Sequence, residues 1–159
     1  MTDAEPLISD LSDRRIRVRV AAAKALGAAN AAESVSALIA ALHDHHASVR
    51  REVALALGKI GDSTVVPALA GLLSDPQPDV RIAALAALGR IKDPAAVPQL
   101  IALIHDPDIQ VRIGVLDTLG RIGDARAIRA VRECTGDKFS DVRDAAESAL
   151  IRLQKRSGH

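Results

Sequence analysis

Tryptophan and tyrosine are absent from this chain, and phenylalanine occurs once, at position 139. With them go the side chains that stack nucleic-acid bases or line pigment and cofactor pockets. The single cysteine, Cys134, excludes an internal disulfide, and a reducing cytoplasm is the expected setting. No stretch reaches the ~20 uninterrupted apolar residues of a membrane span. The opening MTDAEPLISD has no basic start and no long apolar run, so it does not read as a signal peptide. Neither sign of charge is in excess, with 21 Lys and Arg against 20 Asp and Glu. That argues against a general nucleic-acid or membrane-surface binder.

What is present is small and aliphatic. Hydrophobic residues make up 48% of the 159, with Ala and Leu abundant. That composition suits closely packed helices better than sheets, in one domain spanning 1–159.

A cation recurs inside this apolar material. Arg19, Arg50, Arg81, Arg112 and Arg143 stand 31 residues apart. Six residues before each is an aspartate: Asp13, Asp44, Asp75, Asp106 and Asp137. Eight after come Gly27, Gly58, Gly89 and Gly120, and then Ile151. An unbroken period of this length predicts stacked helical hairpins, about five of them, over about 1–29, 30–60, 61–91, 92–122 and 123–156.

Each unit reads as two helices. Residues 63–73, STVVPALAGLL, give a short first helix with Val66, Leu69 and Leu73 at helical spacing. Residues 46–60, HASVRREVALALGKI, give a longer second one with Val49, Val53, Leu57 and Ile60 on one face. SDPQPD (74–79) and HDPD (105–108) are Pro-rich breaks between helices. Asn30, Gly61 and Gly123 follow the second helices, as left-handed helix ends require. Lys92 stands in the same slot, and a slightly different turn is expected there. Gly58 and its equivalents lie inside helices, where Gly costs about 1 kcal/mol relative to Ala, so a neighbouring backbone is expected to come close. Ile151 and the polar 140–156 segment read as a terminal repeat with a wet outer face.

DPDIQVRIGVLDTLGRIGDARAI (106–128) resembles a HEAT repeat of the short bacterial kind, the HEAT-like repeats of phycobilin lyases. The resemblance covers about residues 5–155. It implies an all-α, right-handed α-solenoid, an armadillo/HEAT-type superhelix. Pro67 and Pro98 sit where HEAT repeats bend their first helix, whereas the flanking repeats have Ser36 and Arg129. The resemblance also implies that the ten repeat aspartates and arginines form a structural ladder. A buried guanidinium needs such partners.

The search for chemistry returns little. His43, His45 and His46 surround Asp44 and could hold zinc or nickel, but Asp44 belongs to the ladder, and His105 shows that His43 fills a repeat slot. Deoxyhypusine hydroxylase resembles this fold and holds two irons with His-Glu pairs after the repeat arginine. Here those slots are Arg51-Glu52, Ile82-Ala83, Ile113-Gly114 and Asp144-Ala145, and the chain has no His-Glu pair. Cys134 takes a first-helix position held by Leu72 and Leu103, so it reads as core. RRIRVR (14–19) is a local basic run, but Arg19 belongs to the ladder. No catalytic residue, metal or cofactor is expected.

What remains is the exposed face of the second helices, which lines the concave side in HEAT solenoids. Its slots read Ser48, Arg51, Glu52, Leu55 and Lys59, then Asp79, Ile82, Ala83, Ala86 and Arg90. They continue with Gln110, Ile113, Gly114, Asp117 and Arg121, and end with Asp141, Asp144, Ala145, Ser148 and Arg152. An aliphatic strip (Val20, Leu55, Ile82, Ile113) runs beside a basic rib (Lys59, Arg90, Arg121, Arg152). Such a strip marks a binding surface, while a cation in the last turn also suits the helix dipole. The expected function is a non-enzymatic scaffold binding a protein partner through this face. The alternative is a phycobilin lyase-like protein or lyase subunit acting on bilin-carrying light-harvesting proteins.

Overall fold

The structure is a computed structural model and describes residues 4–157. The first three residues of the opening segment MTDAEPLISD lie outside the described residues. Among the described residues there is no strand. The chain divides into two compact units, Met1–Ile91 and Lys92–His159.

The first unit holds α1 (Ala4–Asp10), α2 (Ile16–Ala29), α3 (Val35–Ala41), α4 (Ala47–Ile60), α5 (Val66–Gly71) and α6 (Pro78–Ile91). The second holds α7 (Val97–Ala102), α8 (Ile109–Ile122), α9 (Ile128–Glu133) and α10 (Ser140–Ser157). Each short odd-numbered helix packs on the longer helix that follows it. In the first unit the long helices lie side by side in the order α2, α4, α6, and in the second α8 lies against α10.

Aliphatic spacing forms these layers. Val49, Val53 and Leu57 of α4 and Val111, Val115 and Leu119 of α8 are fully buried. The glycines set the approach. A Cβ built on Gly27 would lie 2.7 Å from the Ala56 Cα, and one on Gly58 only 2.5 Å from the Ala87 Cα. At Gly120 the distance to the Ala149 Cα is 3.1 Å. Ile151, at the corresponding repeat position of α10, is 54% exposed.

Two expectations need correction. The first helix of the third repeat is not one helix over 63–73 but a 3-10 turn (Ser63–Val65), α5, and a second 3-10 turn (Leu72–Ser74). Pro67 lies at the start of α5, where its missing N–H breaks no helical bond. The Asp62 side chain caps the opening turn by accepting from the Thr64 N–H at 2.8 Å, and Asp93 and Asp124 do the same one and two repeats on. The other correction concerns Lys92, which adopts φ of +59°, the same left-handed conformation as Asn30 (+52°), Gly61 and Gly123 (+76° each). The turn is kept despite the side chain.

Candidate functional site

The ladder residues make one repeated pattern. In the first unit Arg19 Nε and Nη2 donate to Asp44 Oδ2 and Oδ1 at 2.6 and 3.1 Å. Arg50 donates in the same way to Asp75 at 2.7 and 3.0 Å. The third fork nitrogen turns back, so that Arg19, Arg50 and Arg81 Nη1 each donate to the carbonyl of their own repeat aspartate at 2.8 Å. In the second unit Arg112 and Arg143 make that carbonyl bond to Asp106 and Asp137. Arg112 Nε lies 3.4 Å from Asp137 Oδ2. Burial alone would raise the Asp44 and Asp75 carboxyls. The arginine hydrogen bonds and the N–H groups of His46 and Gln77 outweigh it, and both lie below the usual 3.8. Asp75, Arg81, Asp106 and Arg112 are buried, whereas Asp13, Arg19 and Asp44 also line an open hollow beside His43 and His45.

Four of the candidate binding residues meet in the first unit. Arg51 and Leu55 of α4 and Ile82 and Ala86 of α6 line an open groove of about 500 Å³. Ala47, Ser48, Gln77, Asp79 and Ala83 complete it. Leu55 and Ile82 are half-buried, and Ala83 is buried, a correction to its reading as an exposed slot. Its Cβ is small enough to disappear beneath its larger neighbours. Lys59 and Arg90 are exposed in the last turns of α4 and α6, outside this lining.

The second unit gathers charge instead. Asp117 Oδ2 accepts from Arg121 Nε at 2.7 Å, and Asp117 Oδ1 accepts from Arg152 Nη1 at 2.6 Å. Arg121 and Arg152 line an open cleft of about 440 Å³ with Gly120, Lys92, Lys155 and Arg156. Arg156 Nη1 donates to the carbonyls of Arg121 and Ile122 at 3.3 and 3.0 Å, covering the C-terminal end of α8. A Cβ at Gly123 would collide with the Arg156 side chain. Ile113 is half-buried in the same unit.

His46 is tied to the ladder, with Nδ1 at 3.3 Å from Arg19 Nη2 and 3.6 Å from Asp44 Oδ1. His43 and His45 are exposed and line a hollow floored by Ile8 and Leu11. Among the described residues no group of three or more His, Cys, Asp or Glu is placed to hold a metal ion. Cys134 is buried, and burial pushes its thiol up, away from a reactive thiolate. No helix of the described residues is long and apolar enough to cross a membrane.

The pattern of the HEAT repeats family matches residues 4–79 and again 67–151. The chain belongs to the HEAT-repeat family. Its structure is similar to a chain in the complex of CpcE and CpcF of phycocyanin lyase from Nostoc sp. PCC7120, with 32% identity and a TM-score of 0.86. That match covers 98% of this HEAT-repeat chain and 66% of the other, so the chain spans just under two thirds of that relative's length. A designed armadillo repeat protein in complex with the peptide (KR)4 is similar in fold, at 18% identity and a TM-score of 0.74, over 94% of this chain and 81% of that one. An engineered protein matches at 22% identity and 0.75, over 96% and 80%. No curated protein matches the sequence significantly.

Sequence reasoning missed the HEAT chain's Lys92, Lys155 and Arg156 as site residues. One signal was available, since Lys92 alone departs from the Asn/Gly pattern. Lys155 and Arg156 were read as the polarity of a terminal helix. Their convergence on Arg121 depends on α10 running past α8, which a 31-residue period does not display.

Proposed function

We propose that this HEAT-repeat chain is a non-enzymatic binding module that takes a protein partner on its second-helix face. The supporting observation is the first-unit groove, in which the half-buried Leu55 and Ile82 lie between Arg51, Ser48, Gln77 and Asp79. Half-exposed aliphatics rimmed by polar groups are what a protein interface uses: apolar area supplies affinity, and the rim supplies register. The buried charged groups Asp75, Arg81, Asp106 and Arg112, by contrast, belong to the ladder. Burying the groove would contribute about 25 cal/mol per Å² of apolar surface before the costs of association. In the Leu55→Asp/Ile82→Asp double variant, capture of the partner should be lost while the melting curve stays close to the parent's. Normal capture by a folded double variant would place the site elsewhere.

A second reading rests on the likeness to the CpcE and CpcF complex, at 32% identity across nearly the whole chain. On this reading the chain works beside a second subunit in bilin transfer to light-harvesting proteins. Titration with free phycocyanobilin separates the two. A saturable, stoichiometric red shift would favour the lyase-like role, and an unchanged spectrum the scaffold role.

A further inference from the structure

We infer that the cationic cleft of the second unit is a recognition site for an acidic peptide segment of a partner protein, separate from the Leu55–Ile82 groove. Five cations border the cleft, Lys92, Arg121, Arg152, Lys155 and Arg156, and no carboxylate lines it. Asp117, which contacts two of these cations, is already shared between Arg121 and Arg152. Among the described residues Lys92 and Lys155 pair with no carboxylate. Like charges repel, and a chain of nearly balanced charge has no general need to gather them at one spot.

Two helix-end turns of the repeat border this cluster. Lys92 holds a left-handed conformation that disfavours a lysine, where the other repeats place Asn or Gly. Strain of this kind, kept at a position whose side chain lines a cleft, points to use of the side chain. Gly123 leaves the space into which Arg156 folds, and the carbonyls of Arg121 and Ile122 then fix that guanidinium. Arg156 is therefore ordered before any ligand arrives, which reduces the entropy lost on binding.

The grip on Asp117 shows how a carboxylate sits here, with one guanidinium on each oxygen at 2.6–2.7 Å. Carboxylates spaced along a peptide can meet separate cations in the same way. A nucleic-acid strand would call for aromatic faces as well, and none lines the cleft.

The test is fluorescence anisotropy of a labelled oligoglutamate of about eight residues with the full chain. Binding should saturate at low salt and fade steeply as the screening length falls from about 10 Å at 0.1 M to about 3 Å at 1 M. Lys92→Gly/Lys155→Ser should weaken it roughly fivefold or more, without lowering the melting temperature, because Gly relieves the left-handed strain at position 92. Leu55→Asp/Ile82→Asp should leave it unchanged. The proposal is overturned by no oligoglutamate binding at low salt, by equal binding to the lysine variant, or by tighter binding of an oligothymidylate of matched charge.

Discussion

Arg50 and Arg112 occupy the same repeat position in different units and hold their aspartates differently. Arg50 takes Asp75 through two fork nitrogens at 2.7 and 3.0 Å. Arg112 lies at 3.4 Å from Asp137 and has the Phe139 ring 5.4 Å from its guanidinium carbon. The turn is the same in both, since Gln77 N and Phe139 N each donate to Oδ1 of the aspartate two residues before at 2.9 Å. What changed is the side chain at that slot, polar in one and aromatic in the other, and the ring face draws part of the cation's attention. The bond to the repeat's own aspartate carbonyl hardly differs, at 2.8 and 2.7 Å. The intra-repeat carbonyl contact is thus the constant part of the ladder, and the carboxylate fork the adjustable part.

The largest break in this comparison should come from Arg50→Ala. It leaves the Asp75 side chain, 5% exposed, without its charge partner, and should cost about 3 kcal/mol. Arg112→Ala should cost less by about 1 kcal/mol or more, because its fork is not aligned and Asp137 is more open at 15%. Urea midpoints measure both, and equal losses would contradict the reading. Next come the glycines. Gly58→Ala places a methyl against the Ala87 backbone and should destabilise by about 2 kcal/mol despite the better helix propensity of Ala. Gly120→Ala, with 3.1 Å of room, should change stability by less than about 1 kcal/mol. Thermal melts of the pair give the ranking.

The smallest effect is in acid. Asp44 and Asp75 have carboxyls depressed below 3.8 in the folded chain. Their stabilisation is therefore fully present above that value and lost as the pH falls through it toward the folded value. Stability followed down from pH 5 should begin to drop near pH 4. Asp44→Asn and Asp75→Asn should each flatten that slope, and a slope unchanged in both would remove the ladder from the acid response.

The repeat was legible because its signals are one-dimensional: a fixed Asp-to-Arg spacing, a glycine eight residues on, and Asn or Gly at helix ends. Gly58 announced a close neighbour because Gly is unfavourable in a helix unless something needs the room. The first helix of the third repeat was misjudged because Val66, Leu69 and Leu73 fit a helical period equally well through 3-10 turns. Which cations meet was not legible. Asp117 and Arg121 are one turn apart and could be paired on sight, but Arg152 reaches Asp117 from 35 residues away. Leu55 and Ile82 were chosen from repeat slots alone, and they share a groove because α4 and α6 are neighbours.

Asp44 and Asp75 each use one oxygen twice. Oδ1 of Asp44 accepts the N–H of His46, which closes its own turn, and also a nitrogen of Arg19 from the repeat before. Asp75 does the same with Gln77 and Arg50. Its main-chain carbonyl then holds Arg81. Forming the bend between the two helices of a repeat and docking that repeat on its predecessor are therefore one event at one atom. Within the first unit a repeat that peels away also loosens its own turn, so melting should spread between neighbours as a zipper does, with few half-docked intermediates.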